Sequence, residues 1–328
     1  MNVPSYLLET PSLRVEVSAL GATIRSIQLK TETGWLEVTE GFDEADEWTP
    51  NLPYFGVTVG RVANRIARAR FPLGDRVVEL EANDGPNQLH GGPDGFSQRV
   101  WQARQLGPQA IEFRLTSADG DQGYPGNLVA LCRMTLSAEN ALLTEYEATT
   151  DQPTPVNFTN HTYFNLGGPS QAQVLDHVVW SSASHVLETN SEHLPRGTVL
   201  PVSGTPFDFR NAKALGLDIA QVAGGYDHCL VVEPHNNPLP ELREVAKVSL
   251  PGTTRALRFS TDQSGFQLYS GNYLAGIRGR LGRTLVKHAA FCLESQRFPD
   301  SPNHPEWASI ALQPGQTYRH KFVYAFDL

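Results

Sequence analysis

Residues 156–168 read V-N-F-T-N-H-T-Y-F-N-L-G-G and set three amides (Asn157, Asn160, Asn165), two threonines (Thr159, Thr162), Tyr163 and His161 among a few apolar residues. A strand built for packing alone would carry Val, Ile or Leu at its alternate positions. Here the alternation survives, but Asn157, Thr159, His161 and Tyr163 fall on one face. The pattern predicts a strand that turns a hydrogen-bonding face toward a pocket, one suited to a ligand rich in hydroxyls. The competing reading is a single histidine satisfied inside a polar corner of the core.

Outward from this stretch, short extended runs repeat. Leu13, Val15 and Val17 alternate with Arg14, Glu16 and Ser18, and Ile111, Phe113 and Leu115 with Glu112, Arg114 and Thr116. Cys132, Met134 and Leu136 keep the same period, as do Tyr318, His320, Phe322, Tyr324 and Phe326. The 28 glycines and 23 prolines are spread along the chain, so turns punctuate strands throughout. Helical spacing is confined to 212–222, where Leu215, Ile219 and Val222 recur. No linker or internal repeat divides the chain. The expectation is one all-β domain over residues 1–328, a large antiparallel β-sandwich with few short helices.

Charge and composition exclude several classes. Lysine plus arginine is 26 against 35 for aspartate plus glutamate, a net charge of −9, which repels phosphate backbones and argues against nucleic acid. No apolar run approaches the ~18 residues of a membrane span. The opening M-N-V-P-S-Y-L-L-E-T-P lacks the basic and apolar regions of a secretory signal, so the expected location is cytoplasmic. Cys132, Cys229 and Cys292 are widely spaced, which fits reduced thiols better than a disulfide framework or a C-x-x-C metal site. The sequon matches at Asn157 and Asn160 then read as chance.

Four further stretches are more polar than packing requires. G-R-V-A-N-R-I at 60–66 groups Arg61, Asn64 and Arg65, whose donor forks suit vicinal hydroxyls or a carboxylate; the alternative is a solvated basic edge. N-Q-L-H-G-G at 87–92 sets His90 before two glycines that allow close approach of the backbone to a ligand, or simply form a turn. G-G-Y-D-H at 224–228 presents Tyr226, Asp227 and His228 from a glycine turn. A-F-C-L-E-S-Q-R-F-P at 290–299 puts Glu294 in an apolar strand with Cys292 and Gln296 on its face; the alternative is an exposed glutamate on an edge strand. A carboxylate there is costly unless partnered or working, and burial raises its pKa into the range of a general base. Phosphate-binding, dinucleotide-binding, zinc-protease and serine-elbow motifs are missing, and none of the ten histidines pairs at metal-ligand spacing. The residues predict acid–base chemistry with no cofactor and no metal.

Together G-R-V-A-N-R-I, N-Q-L-H-G-G, N-H-T-Y-F-N-L-G-G, G-Y-D-H, F-Q-L-Y-S-G-N-Y-L and F-C-L-E-S-Q-R-F-P-D-S-P-N-H-P resemble the aldose 1-epimerase (galactose mutarotase) family, in family order and over nearly the whole chain. The resemblance implies a β-sandwich with a sugar cleft on one sheet and a monosaccharide substrate, an aldohexose, handled by a monomer or homodimer. It implies that Glu294 is the base that deprotonates the anomeric hydroxyl and that His161 is the acid that protonates the ring oxygen. Asn64, Arg65, His90, Asp227 and Gln267 match the groups that hold sugar hydroxyls. Phe164 departs from the tryptophan common in relatives, a change that alters packing behind His161. Three rivals stand beside this reading: a sugar-binding or regulatory module without turnover, a glycoside hydrolase or lyase, and a hexose-phosphate epimerase. A hydrolase normally needs two carboxylates flanking the bond, and a phosphate substrate needs more cations than Arg61 and Arg65.

Overall fold

The computed structural model describes residues 3–328. Antiparallel strands build the molecule, and the helical segments among the described residues are 3-10 turns of three or four residues. The largest sheet has nine strands, in the order Gln102–Gly107, Ala110–Ser117, Leu128–Leu136, Ala141–Thr150, Tyr318–Asp327, Ala256–Thr261, Arg243–Ser249, Val178–Ser181 and Lys213–Ala214. Packed on it is a six-stranded sheet, in the order Tyr163–Phe164, Phe291–Gln296, Gly265–Tyr269, Asp227–Val231, His185–Thr189 and Pro195–Pro201.

Alternation decides what each face of the six-stranded sheet does. Phe266, Leu268, Phe291 and Leu293 enter the main core with Phe259, Phe322 and Tyr324 of the nine-stranded sheet. Phe259 meets Phe266 at a ring separation of 5.6 Å, and the Tyr324 hydroxyl donates to the Leu293 carbonyl at 2.8 Å. The opposite face presents Cys292, Tyr163 and Tyr269, which pack with Phe42 and Phe55 in a second, smaller cluster. Both faces of Phe291–Gln296 are therefore covered, and every residue of the strand is buried.

The alternating runs at 13–18, 111–116, 132–136 and 318–326 all lie in strands. Two expectations fail. Residues 156–168 do not form one strand: Thr159–Asn160 pairs with Thr58–Val59, Tyr163–Phe164 pairs with Phe291–Cys292, and His161 lies between. The break is local chemistry, because the Thr162 amide and hydroxyl both donate to Asn160 Oδ1, at 3.1 and 2.5 Å, which turns the chain out of its extended course. Segment 212–222 is not a helix. Lys213–Ala214 pairs with Val178–Val179, and the Leu215 and Gly216 amides donate to the His177 and Leu175 carbonyls. Only Ile219–Gln221 makes a helical turn, so sheet pairing overrides the apolar spacing.

Candidate active site

Strand register lays out the floor of the site. Tyr163, Cys292, Tyr269 and Asp227 are cross-strand neighbours in one row, and Glu294, Gln267 and Cys229 in the next. Over this floor the segments near 49–54, 64–65, 89–90 and 273–277 enclose a cavity of about 700 Å³. Its polar lining includes Glu47, Asn64, Arg65, His90, His161, Asp227 and Glu294; Phe42, Leu52, Leu274 and Ile277 form an apolar flank, with Tyr54, Tyr163 and Tyr269 between.

His161 is fixed at its backbone, its amide donating to the Val57 carbonyl and its carbonyl accepting from Gly56, both at 3.0 Å. Its ring stacks on Tyr163 (4.9 Å, 18°) and lies near-parallel to Tyr54 at 6.2 Å. Nε2 stands 3.6 Å from Glu294 Oε1, while Cys292 Sγ lies 3.5 Å from Nδ1. Burial pushes the Glu294 carboxyl well above its ordinary pKa, and the Asp227 charge adds to the effect. Burial also pulls His161 down to about 4. Burial thus favours the uncharged form of each group, the carboxylic acid of Glu294 and the unprotonated imidazole of His161. A molecule with a proton to give on one side and a lone pair to offer on the other can trade protons with the two groups.

His90 is held for a different task. Its Nδ1 accepts from the Asn64 amide at 3.2 Å, so its proton sits on Nε2, and burial, His161 and Arg65 keep the ring neutral. It is a fixed hydrogen-bond donor. Arg65 Nε donates to Asp84 Oδ2 at 2.8 Å, which anchors the guanidinium while its terminal nitrogens remain for the cavity. Tyr54, Asn64 and His90 all have left-handed backbones, with φ of 63°, 62° and 54°, so strain is concentrated at the rim. The glycines after His90 serve the protein rather than a ligand: a Cβ on Gly91 would collide with the Gly60 carbonyl.

Gln267 is absent from the cavity lining. It lies behind Asp227 and donates to Asp227 Oδ1 at 2.7 Å, itself accepting from Gln296 at 3.2 Å. Of the five groups expected to bind a ligand, four reach the cavity, and Gln267 positions one of them. Asp227→Asn keeps the shape but removes a charged acceptor, so it should raise KM more than it lowers kcat, by an amount corresponding to about 1–3 kcal/mol. Steady-state kinetics on the purified variant checks this.

Arg61 does not join the site. Only 1% exposed, it donates to the Ser117, Ala118 and Pro125 carbonyls and to the Ser117 and Thr154 hydroxyls. It ties loops together, and Arg61→Met, which orphans several buried acceptors, is expected to cost about 3 kcal/mol or more in denaturant unfolding. The amides of the 156–168 stretch are also structural. Asn157 exchanges hydrogen bonds with the Arg297 backbone, Asn160 donates to Gly56, and Asn165 to Gln171 and Ala289. His228 packs on Phe207 at 4.6 Å, and Phe164 faces Phe291 and Tyr324 in the main core. Sequence reasoning missed Tyr54 and the apolar flank. No sequence period marks them, and in the fold Leu52 of the flank is left 78% exposed.

Comparison with known proteins agrees over the full length. A family model described as aldose 1-epimerase matches residues 4–325. A galactose mutarotase of Sus scrofa is 38% identical over 330 residues, covering 100% of this chain and 95% of the relative. An aldose 1-epimerase of Escherichia coli is 36% identical, covering 93% of this chain and 90% of its own. Among solved structures, a GalM/aldose epimerase homologue from C. elegans superimposes with a TM-score of 0.91 at 26% identity, covering 99% of both chains.

Proposed function

The chain belongs to the aldose 1-epimerase family, and from that premise we infer that it is a mutarotase, an isomerase interconverting the α and β anomers of D-galactose- and D-glucose-type aldoses. The observation that carries the mechanism is the Glu294–His161 pair, 3.6 Å apart at the floor of the cavity. Glu294, as carboxylate, takes the proton from the anomeric hydroxyl. His161, as imidazolium, gives its proton to the ring oxygen. The bond from C1 to the ring oxygen breaks, its electron pair going to that oxygen, while the O1 pair closes the carbonyl. Rotation about C1–C2 exposes the other face, and the same two transfers run backwards. Each group contributes roughly 10²–10⁴-fold. His90, Arg65, Asn64 and Asp227 hold the hydroxyls, and Gln267 holds Asp227.

A phosphorylated sugar fits less well. Arg65 is the one lysine or arginine lining the cavity among the described residues, against Glu47, Asp227 and Glu294. No helix among the described residues is long and apolar enough to cross a membrane. Three unpaired buried cysteines fit a reducing compartment, and the cytoplasm is the location we assign.

Polarimetry tests the reading. Freshly dissolved α-D-galactose and α-D-glucose should approach equilibrium rotation faster with the protein than without, in proportion to its concentration. An unchanged rate for both sugars overturns turnover and leaves a binding module. Because both proton transfers use side chains, activity should persist in full after EDTA treatment and dialysis. Loss to the chelator with recovery on adding a divalent ion would contradict the metal-free mechanism.

A further inference from the structure

The mutarotase reaction gives Cys292 no proton to move, yet its sulfur stands beside both groups that do. His161, Cys292 and Glu294 each offer one ligand atom, and these atoms lie within 4.8 Å of one another in a buried cluster. The three come from segments 131 residues apart in the chain and converge only in the fold. We propose that this nitrogen, sulfur and oxygen set forms an inhibitory site for zinc or a similarly soft divalent cation at the floor of the sugar cleft.

Imidazole, thiolate and carboxylate are the three ligand types zinc takes, at about 2.0–2.3 Å, and a thiolate discriminates against magnesium and calcium. Bonds of that length separate tetrahedral ligand atoms by roughly 3.3–3.7 Å. His161 approaches its two neighbours through different nitrogens, Nδ1 to Cys292 Sγ at 3.5 Å and Nε2 to Glu294 Oε1 at 3.6 Å, and with one atom taken from each residue the set lies within 4.8 Å. A single ion uses only one ring nitrogen, so the three ligand atoms draw together from that spread when they bind it. His161 and Glu294 line the cavity and Cys292 lies beneath them, so a fourth position faces the opening. The bound ion occupies the space between base and acid where the anomeric centre reacts, and it holds both groups out of the chemistry. Metal and sugar therefore exclude each other.

The site goes beyond the assigned reaction, and its test has a readout that does not depend on turnover. Cobalt(II), a spectroscopic stand-in for zinc, is titrated into the unmodified, chelator-treated protein. A thiolate-to-cobalt charge-transfer band should grow to one equivalent, be displaced by zinc, and fall as galactose is added. In parallel, zinc should inhibit mutarotation competitively with galactose, EDTA should restore the rate, and magnesium at equal concentration should have no effect. Cys292→Ser should raise the half-inhibiting zinc concentration by ~10-fold or more relative to that variant's own metal-free rate. The absence of a charge-transfer band overturns the proposal whether or not the protein is active. So does a band that galactose leaves unchanged, or zinc inhibition of equal strength in Cys292→Ser.

Discussion

Glu294→Gln is expected to lower kcat by roughly 10²–10⁴-fold with a far smaller change in KM. The substitution preserves volume and planarity in a strand buried at every position, so folding should survive it. What it removes is the basicity that burial and Asp227 have raised. The pH dependence follows with a definite sign. In the unmodified protein, the two limbs of kcat/KM report the coupled pair rather than either residue alone. With glutamine in place, residual activity depends on protonated His161 alone, whose pKa burial sets at about 4. The variant should lose its acidic limb, and its small remaining rate should fall as pH rises from that value. Polarimetric initial rates from pH 4 to 9 check both points. Near-normal turnover in the variant removes Glu294 from the role of base.

The mirror-image result is expected for His161→Asn. Asparagine keeps a polar group between Tyr54 and Tyr163 but cannot carry a proton to the ring oxygen. A kcat loss of similar size, roughly 10²–10⁴-fold, should follow. Here the basic limb disappears instead: the remaining rate depends on ionised Glu294 and should rise with pH through that group's elevated pKa. His161 is 6% exposed and its backbone is bonded to Gly56 and Val57, so circular dichroism and a denaturant midpoint must accompany the kinetics. Opposite slopes in the two variants would show two groups sharing one proton cycle. Parallel slopes would mean that a third group, present in both variants, governs the residual rate.

Much of this site was legible in the chain because its key residues break the logic of packing. Glu294 in an otherwise apolar strand is an anomaly that burial makes expensive, and it proved to face the cavity. Polar excess alone misled. Asn157, Asn160 and Asn165 looked like ligand groups in the same stretch as His161, but they satisfy backbone in a region where short strands leave amides and carbonyls unpaired. Arg61 and Arg65, four residues apart, went to opposite fates because one is enclosed by carbonyls and the other lies at the rim. Sequence spacing cannot separate them. Nor can it find the His161–Cys292–Glu294 cluster, which exists only once Tyr163 pairs with Cys292. The apolar flank stayed hidden for a simpler reason: Leu52, Leu274 and Ile277 sit in irregular segments with no period to read.

One comparison bears most directly on the central claim, that His161 and Glu294 move protons while the other polar groups hold the sugar. His90 lies 5.4 Å from His161, ring to ring, and is buried to the same degree, so it is the natural control. The measurement is kcat for galactose mutarotation at saturating sugar in His161→Asn and His90→Asn, with both variants shown to be folded. His161→Asn is expected to be nearly inactive at saturation, whereas His90→Asn, having lost a fixed donor, should recover most of its rate at high sugar. If His161→Asn turns over normally once saturated and His90→Asn does not, the acid is His90 and the assignment is wrong.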